Sequence, residues 1–433
     1  MDIPLVRTVT LPPPHVAGKR LTKRPYAFLL ESVCAHPLDV FLPLLRRYVI
    51  PSGVCPVPFS GGAVGYLSYD LGRTIEPVSQ GKRQPPDNSP APDVMLAFYD
   101  VVAAWDNHTG LAYLISTGFP ETTNEAQAAR STQRVEEIQR LLGSTEIECQ
   151  PRGSSSQAAC FESGVTKAGY LAMVERAKGY IAAGDIYQVN LAQQFRAPWT
   201  DGPWQLYERL RRINPAPFAA VLDFPDAAIV SASPERFLRI ADGIIETRPI
   251  KGTRPRGKTT VEDASLAQEL LASGKDRAEH IMIVDLERND LGRVAEIGSV
   301  TVDELMALEM YATVHHLTST VRGRLRQDVA LADVLKATFP GGSITGAPKI
   351  RAMQIIDELE PVRRGVYTGA IGYFGFDGRV DLNIAIRTAV LRDGIASVHV
   401  GGGIVHDSDP AAEYQETLDK GEAFFRALRS APL

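Results

Sequence analysis

Alternating apolar and polar positions run through residues 21–118 and predict a set of β-strands. The strand-like segments read YAFLLESV, GGAVGYLSYDL, DVMLAFYDVVAAW and LAYLIST. A two-residue period is typical of strands that bury one face. The segment SQGKRQPPDNSPAP interrupts this pattern, and its proline, glycine and asparagine content predicts a loop.

The pattern changes twice further along the chain. The segment NEAQAARSTQRVEEIQRLLG predicts a polar helix, and the tract QPRGSSSQAAC after it is typical of a linker. From Val165 onward strands and helices mix without regular βαβ spacing, which favours an α+β fold over a doubly wound sheet. We therefore predict an N-terminal domain at 1–119, a helix with a flexible linker at 120–163, and a second domain at 164–433.

Composition excludes several classes of partner. The chain has 433 residues and a net charge of −5, which argues against non-specific binding to nucleic acid or to an anionic membrane surface. Its four cysteines form no CxxC pair, which is typical of a reduced cytoplasmic protein. The N-terminal segment MDIPLVRTVTLPPPH lacks the apolar run of a signal peptide or a membrane anchor.

Familiar catalytic motifs are absent from the sequence. It contains no GxxxxGK[ST], no GxGxxG after a strand, no GxSxG and no HExxH. It also lacks a GxCxG elbow of the kind that carries the nucleophile of glutamine amidotransferases. The chemistry must therefore come from other residues.

The segment ETRPIKGTRPRG places Lys251 on a constrained corner. Pro249 ends regular strand pairing because it has no N–H, and Gly252 allows a turn or the close approach of a ligand. Arg254 and Arg256 follow, and their positive charge would lower the pKa of a buried Lys251 amine. The alternative is an exposed lysine in a basic loop.

Two pairs of carboxylates occur at helical spacing. We predict one continuous helix over LAQELLASGKDRAEHIMIVDLERNDLG, on which Asp276 and Glu279 share a face. Glu413 and Glu416 share a face near the start of the last helix, with Lys420 four residues beyond Glu416. The alternative is a solvated helix surface with an ion pair. The glycine run of VHVGGGIV just before the last helix favours instead a pocket in which Mg²⁺ joins carboxylates to an anionic substrate.

Two further segments suggest anion binding. In FPGGSITGAPKIRAM, small residues around Ser343 lead into a helix whose free N–H groups attract negative charge. The segment VYTGAIGYFGFDGRVDLNIAIRTAVL predicts a hairpin that presents Tyr367 and Arg387 from neighbouring strands, and arginine is well shaped to bind a carboxylate. A helix cap and a surface arginine are the alternatives. Together the segments predict a pocket for a small substrate with more than one carboxylate.

These segments resemble the ordered motifs of the chorismate-utilising enzymes. The resemblance covers residues 165–428 and rests on DIYQVNLAQQF, SASPERFL, PIKGTRPRG, AEHIMIVDLERNDLGRV, HHLTSTVRG, PGGSITGAPKIRAMQIIDELEP, RGVYTGAIGYFGFDG, IAIRTAVL and GGGIVHDSDPAAEYQETLDK. It implies an α+β fold of two large antiparallel sheets packed together with helices outside, and a chorismate-binding catalytic domain at 164–433. The segments YAFLLES and FSGGAVGYLSYDLGR resemble the N-terminal region of anthranilate synthase component I.

The resemblance also implies roles for single residues. Glu279 and Glu416 match the Mg²⁺ ligands, with Asp276 and Glu413 as further carboxylates beside them. Glu235 matches the general acid that protonates the departing C4 hydroxyl, and His316 matches an active-site histidine. The positions that match substrate contacts are Thr253, Ser343, Tyr367, Arg387, Lys420 and the backbone of Gly402 and Gly403.

Two positions distinguish reactions within the family. Gln188 stands where isochorismate and salicylate synthases have a basic lysine, and an amide cannot activate water. Lys251 stands where anthranilate synthases have alanine and where aminodeoxychorismate synthases have a lysine nucleophile. The resemblance therefore implies conversion of chorismate and ammonia to 4-amino-4-deoxychorismate, for 4-aminobenzoate and folate synthesis. The alternatives are the anthranilate synthase component I reaction and a non-catalytic subunit that binds chorismate or tryptophan.

A tryptophan pocket is a further implication of the resemblance. Segments that line it in glutamine-dependent members match LLES and NPAPFA, which supply Glu31, Ser32, Asn214, Pro215 and Phe218. The alternative, that these residues belong to a core strand and a turn, has equal weight.

The first prediction concerns the source of nitrogen. Because the chain has no glutaminase motif, ammonia from glutamine requires a separate glutamine amidotransferase subunit. Purified protein supplied with chorismate is expected to use ammonium salts and not glutamine, as measured by product formation. Glutamine-dependent turnover by the protein alone, free of contaminating amidotransferase, would contradict this.

Overall fold

The structure, a computed structural model, describes residues 4–14, 16–17, 28–30, 37–76, 78, 91–143, 161–311 and 314–429. Within them, short polar side chains begin several helices at the positions that capping chemistry favours. Thr166, Thr259 and Ser273 each accept a hydrogen bond from a backbone N–H in the first turn of the helix that follows. Asp409 does the same for the last helix, through Ala412 N at 2.8 Å.

The strands are short to medium in length, and they are numbered in chain order. They are β1 (Leu5–Val9), β2 (Phe28–Leu30), β3 (Gly62–Leu67), β4 (Val94–Tyr99), β5 (Val101–Trp105), β6 (Ala112–Ser116), β7 (Glu162–Ser163), β8 (Gln188–Pro198), β9 (Phe218–Asp223), β10 (Ala228–Ser233), β11 (Arg236–Ala241), β12 (Ile244–Arg248), β13 (Ile250–Pro255), β14 (Thr301–Met310), β15 (Val314–Arg324), β16 (Gly346–Ala347), β17 (Ala370–Gly375), β18 (Val380–Ile384), β19 (Thr388–Arg392) and β20 (Ile395–Ile404).

The α-helices are numbered in the same way. They are α1 (Pro37–Leu45), α2 (Gly72–Ile75), α3 (Asn124–Gly143), α4 (Lys167–Ala182), α5 (Pro203–Ile213), α6 (Thr260–Ala272), α7 (Gly274–Gly292), α8 (Leu331–Thr338), α9 (Lys349–Leu359) and α10 (Pro410–Arg429). Two short 3₁₀ turns occupy Tyr69–Leu71 and Gly342–Ile344.

Two large antiparallel sheets dominate the molecule, which confirms the predicted α+β architecture. The ten-stranded sheet has the order β13-β15-β12-β11-β18-β17-β3-β4-β2, and β14 also pairs with β15. The seven-stranded sheet has the order β16-β8-β20-β19-β10-β9, and β7 also pairs with β8. A separate three-stranded sheet, β1-β6-β5, packs against α3. Strands β3 and β4 come from the first 119 residues yet belong to the ten-stranded sheet.

Apolar side chains hold these layers together. A cluster between the two large sheets takes residues from both, including Met95, Ile229, Ile371 and Val390. The outer face of β20 packs against α5 and α10, and the largest cluster joins α1, α4, α7, α8 and α9 to strands of both sheets. Each fully buried aliphatic side chain contributes about 1.5–3 kcal/mol to the stability of this arrangement.

The structure corrects one predicted element. The helix predicted over LAQELLASGKDRAEHIMIVDLERNDLG is two helices, α6 and α7, because the chain leaves helical geometry at Ser273. Ser273 ends α6, and its side chain accepts a hydrogen bond from Asp276 N at 3.2 Å to start α7.

Other predicted features lie partly outside the described residues. Helix α3 covers the segment predicted as a polar helix, but the linker tract after it is not described, nor is most of the loop SQGKRQPPDNSPAP. The division into domains at 119 and 163 stays a prediction. Among the described residues, every helix falls short of the length and apolarity that a membrane crossing requires.

Candidate active site

Glu235 and Arg387 lie in two adjacent segments of the chain that each connect one large sheet to the other. Glu235 lies between β10 and β11, and Arg387 lies between β18 and β19. The segments are joined by backbone hydrogen bonds from Ile384 N to Glu235 O at 3.0 Å and from Ala232 N to Arg387 O at 2.9 Å. Arg387 has a φ of +48°, a left-handed conformation that is costly for arginine. Such a strained residue at a crossing between sheets indicates a functional position.

Glu235 is buried and bonded to a second predicted site residue. Ser343, in the 3₁₀ turn Gly342–Ile344, donates from its hydroxyl to Glu235 Oε1 at 2.6 Å, and Ile250 N donates to the same oxygen at 3.4 Å. Burial raises the pKa of Glu235, although the Ser343 hydrogen bond and the Lys251 charge oppose this. A glutamate with a raised pKa retains its proton at higher pH, as a general acid requires.

Lys251 is aimed by a β-bulge. In the pairing of β13 with β15, Lys251 faces Leu317 and Thr253 faces His316, so Gly252 is an extra residue. Its φ is +81°, and a Cβ atom there would lie 2.9 Å from Leu270 Cδ1. Only glycine fits such a backbone without strain. Lys251 therefore lies within a strand, at an irregularity that redirects its side chain.

The electrostatic setting of Lys251 differs from the expected one. Arg254 is bound by Glu269 at 2.7 Å and Asp276 at 3.2 Å, and Arg256 is bound by Asp263 at 2.7 Å. Their charges are thus neutralised locally. Burial is the main cause that lowers the pKa of Lys251, with a contribution from the Lys420 charge. The carboxylates of Glu279, Glu235 and Glu416 oppose this change in pKa.

His316 contacts Thr253 beside the bulge. Thr253 Oγ1 lies 2.8 Å from His316 Nδ1, and His316 Nε2 is buried without a partner among the described residues. Burial, helped by the Arg387 charge, lowers the pKa of His316 to about 4. The imidazole is therefore neutral at pH 7, with one nitrogen that a ligand could satisfy.

Tyr367 and Arg387 stand at the ends of the predicted hairpin and not on its strands. Tyr367 precedes β17 and Arg387 follows β18, so both lie at the open end where β17 and β18 meet. The Tyr367 ring stacks on His399 with centroids 5.3 Å apart and planes 13° apart. Burial lowers the pKa of Arg387, and no carboxylate among the described residues lies within ion-pair distance of its guanidinium. Arg387 is thus available to an anionic ligand.

Carboxylates converge beside the glycine run of β20. A Cβ atom on Gly402 would lie 3.2 Å from Glu413 Oε2 and 3.4 Å from Glu416 Oε1, so glycine leaves the space that these side chains use. Glu416 also pairs with Lys420 at 2.6 Å. Burial raises the pKa of Glu279 on α7, and the charges of Asp276 and Glu416 add to this, so Glu279 and Glu416 are near enough for their charges to interact.

The donor set is suited to Mg²⁺ as a partial coordination shell. All the donors are carboxylate oxygens, and the buried Oε2 atom of Glu413 has no hydrogen-bond partner among the described residues. No three His, Cys, Asp or Glu side chains in the described ranges already form a metal-binding group. Mg²⁺ commonly uses only one or two protein carboxylates and completes its shell with water and substrate oxygens. Asp276 is bound to Arg254, so its role as a ligand stays a prediction.

The remaining predicted contacts also lie near these carboxylates. Gly402 pairs with Leu191 and Gly403 with Asn190 between β20 and β8. Lys420 donates to Gly401 O at 3.0 Å in addition to its ion pair with Glu416. The glycine backbone, Lys420 and the carboxylates of α10 therefore meet at one end of β20.

Comparisons with known proteins identify the family of this chain. The profile of a family described as "chorismate binding enzyme" matches residues 44–426. This chain belongs to the chorismate-binding enzyme family.

Relatives within this family carry two different names. Anthranilate synthase component 1 1 of Haloarcula marismortui is 45% identical over 88% of this chain and 78% of its own length. Aminodeoxychorismate synthase component 1 of Bacillus subtilis is 44% identical over 86% of this chain and 77% of its own length. Anthranilate synthase component I from Streptococcus pneumoniae superposes with a TM-score of 0.80 at 33% identity, covering 98% of this chain and 93% of that one. Sequence and structural similarity therefore establish the family, but they do not establish which product this chain forms.

Sequence reasoning missed two residues that support the site of this chorismate-binding enzyme. Asn190 donates from Nδ2 to Ser343 O at 2.8 Å, and Arg364 donates to Ile344 O at 3.0 Å. Both act on the main chain of the turn that carries Ser343. The available signal for Arg364 was its i,i+4 spacing from Glu360 in EPVRRGVYTGA.

The tryptophan pocket stays a prediction. Glu31 and Ser32 lie outside the described residues. Asn214 is buried at the end of α5, Pro215 follows it, and Phe218 begins β9, where the Arg236 guanidinium lies 5.2 Å from its ring centroid.

The bulge at Gly252 generates the second prediction. Gly252→Ala places a Cβ against Leu270 at a positive φ, so we expect a stability loss of about 1–2 kcal/mol and a large loss of chorismate turnover. Gly243→Ala is the matched control, because Gly243 has a φ of +74° with no atom within 4 Å of its Cβ position. It should lose similar stability in urea unfolding and keep turnover. Wild-type turnover by Gly252→Ala would show that the bulge does not aim Lys251.

Proposed function

We propose that this protein converts chorismate and ammonia to 4-amino-4-deoxychorismate. The observation that carries the proposal is Lys251, an amine whose pKa is lowered by burial, placed at a glycine bulge close enough to Glu235 for their charges to interact. The name of the Bacillus subtilis relative, at 44% identity, supports the same product. Ammonia would come from a separate glutamine amidotransferase subunit, and the product would feed 4-aminobenzoate and folate synthesis in the cytoplasm.

The reaction needs two displacements. In the first, the neutral Lys251 amine bonds to C2 of chorismate, both ring double bonds shift by one position, and the C4 hydroxyl leaves as water with a proton from Glu235. The secondary ammonium formed on Lys251 then returns a proton to the Glu235 carboxylate. In the second, ammonia bonds to C4, both double bonds shift back, and the C2–N bond breaks. The departing Lys251 nitrogen takes a proton from Glu235 and is again a neutral amine, and the new ammonium group at C4 returns a proton to Glu235. The enolpyruvyl group is retained, and no external oxidant or reductant is required.

The other site residues would bind and orient the substrate. Arg387 and Tyr367 would hold a carboxylate at the open end of β17 and β18. His316 and Thr253 would contribute neutral hydrogen-bonding groups on the Lys251 side, and Lys420 would serve a second carboxylate near Gly402 and Gly403. Ser343 would orient Glu235 by the 2.6 Å hydrogen bond between them. Positioning of this kind lowers the entropic barrier of each displacement.

Glu279 and Glu416 would hold Mg²⁺, with Glu413 beside them. When bound, the ion would supply positive charge that neutralises a substrate carboxylate. Lys420 already supplies one positive charge to Glu416, at 2.6 Å. The chain's own contribution is thus a set of carboxylates on α7 and α10, of which Glu279 and Glu416 also act on the charge of Lys251.

Anthranilate formation is the second candidate function. It is favoured by the Haloarcula marismortui relative and by the Streptococcus pneumoniae structure, whose names specify anthranilate synthase component I. Lys251 argues against it, because a covalent amine at C2 would block the carbon that ammonia must attack to form anthranilate. Product identification by mass and fluorescence, after incubation with chorismate, Mg²⁺ and ammonium, separates the two functions.

The third prediction concerns the metal. Glu279→Ala and Glu416→Ala should each abolish chorismate turnover, and EDTA should abolish turnover by the wild type. Glu422→Ala is the control, because Glu422 lies on the exposed side of the same helix as Glu416. Full activity of both variants in EDTA would overturn the metal assignment.

The fourth prediction concerns pH. Lys251 must be unprotonated and Glu235 must be protonated, so kcat/KM should rise with pH through one group and fall through another. Burial places the rising limb below the ordinary lysine pKa of 10.5 and the falling limb above the ordinary glutamate pKa of 4.5. Because the two charges interact, the apparent values belong to the pair. A profile that only rises, up to an ordinary lysine pKa, would contradict this setting.

The fifth prediction concerns the nucleophile. Lys251→Ala should lower 4-amino-4-deoxychorismate formation by orders of magnitude and release some anthranilate, because ammonia then reaches C2. Lys251→Arg should form neither product, since its guanidinium stays charged. Lys258→Ala, an exposed lysine in the same basic segment, should behave as the wild type. If Lys251→Ala formed 4-amino-4-deoxychorismate at the wild-type rate, covalent catalysis by Lys251 would be ruled out.

A further inference from the structure

A buried ion pair lies behind the site and takes no part in the chemistry proposed above. Glu360 ends α9, and Arg364 follows four residues later. Arg364 Nη2 lies 2.6 Å from Glu360 Oε1, and Arg364 Nε lies 2.9 Å from Glu360 Oε2. The two side chains are only 1% and 4% exposed. Such a pair contributes little net stability, because the cost of removing both charges from water offsets their attraction.

Arg364 instead contacts three separate chain segments. It donates to Ile344 O at 3.0 Å, to Asn190 O at 2.9 Å and to Thr368 Oγ1 at 3.3 Å. With the two bonds to Glu360, these contacts occupy the five N–H donors of a guanidinium. Glu360 adds a contact to β8, the strand that also holds Asn190, by accepting from Ala192 N at 2.9 Å.

Two of the three segments carry predicted site residues, and the third holds Asn190, which binds the main chain of one of them. Ile344 directly follows Ser343, whose hydroxyl binds Glu235. Asn190 donates from Nδ2 to Ser343 O at 2.8 Å. Thr368 directly follows Tyr367, and the Arg364 guanidinium also lies 5.8 Å from the centroid of the Tyr367 ring. The Arg364 guanidinium therefore contacts the residues that directly follow Ser343 and Tyr367, and it lies near the Tyr367 ring.

We infer that Arg364 is a positioning residue that holds Ser343 on Glu235 and Tyr367 on the substrate side of the pocket. A guanidinium suits this task because its donors have fixed directions, whereas a lysine ammonium offers rotatable donors on a flexible stem. The inference rests on the proposed function for the roles of Ser343 and Tyr367. Its geometry rests only on the contacts of the buried pair.

Activity tests the link through Ser343. The variants are Arg364→Lys, which keeps a charge for Glu360, and the double variant Glu360→Gln with Arg364→Met, which removes the pair together. Consumption of chorismate with ammonium is followed, so the result does not depend on which product forms. We expect kcat to fall about 100-fold in each, because a displacement of about 1 Å in a catalytic group has that effect.

Combination with Ser343→Ala separates positioning from a general structural effect. If Arg364 acts through Ser343, adding Arg364→Lys to Ser343→Ala lowers kcat by much less than it does in the wild type. Arg209→Lys is the control, because Arg209 is a buried arginine that binds Asp201 and Ala427 O away from the site. It should leave kcat unchanged. The inference would be overturned if the effects of Arg364→Lys and Ser343→Ala on kcat were fully multiplicative. It would also be overturned if the kcat of Arg364→Lys alone stayed within about twofold of the wild-type value.

Hydrogen exchange provides a measurement that does not need turnover. Arg364→Lys should speed exchange at Gly342 and Thr345, whose N–H groups bind Glu287 Oε1 and Gly342 O, and leave exchange in α5 unchanged. Arg209→Lys should speed exchange in α5 or α10 and leave Gly342 and Thr345 unchanged. Unchanged exchange at Gly342 and Thr345 in Arg364→Lys would overturn the inference. Wild-type protein that fails to consume chorismate would contradict the proposed function alone.

Discussion

Removal of water from Lys251 and Glu235 is the constraint on which the site depends. In water an amine and a carboxyl group form a charged pair at pH 7, and neither could then act as nucleophile or acid. Burial disfavours both charges, so it lowers the pKa of Lys251 and raises the pKa of Glu235. A pKa change of about one unit corresponds to about 1.36 kcal/mol, and the surrounding fold must supply this free energy. Both shifts favour the neutral forms, in which Lys251 is a nucleophile and Glu235 is an acid.

The fold supplies this burial through a few backbone irregularities. The crossings at Glu235 and Arg387 bring residues from both sheets to one place, and the left-handed conformation of Arg387 directs its guanidinium there. The bulge at Gly252 gives Lys251 its direction. Behind them, the Arg364–Glu360 pair joins the Ser343 turn, β8 and the Tyr367 turn by hydrogen bonds. Rigid contacts of this kind keep catalytic groups in place without help from the substrate.

Much of the architecture was readable from the sequence because local signals agreed with the fold. The α+β class was predicted, and the structure confirms it. Regular pairing is interrupted at Pro249 as predicted, but it resumes at Ile250 with the same partner strand. The roles of single residues came from a family resemblance, and they stay predictions. The break at Ser273 was missed because apolar and polar spacing continues across it, although its side chain is a good N-cap.

Other features depend on tertiary contacts that no short segment encodes. The ion pairs of Arg254 and Arg256 remove them from the electrostatics of Lys251, and their partners lie 7 to 22 residues away along the chain. The contacts of Arg364 reach residues as far away as Asn190.

The central claim is that Lys251 bonds to the substrate. The most direct test is to mix the protein with chorismate and Mg²⁺ without ammonia, quench rapidly, and analyse the peptides by mass spectrometry. The peptide that contains Lys251 is expected to gain the mass of chorismate less one water. If that peptide stays unmodified although the same protein consumes chorismate when ammonium is added, covalent bonding by Lys251 is contradicted.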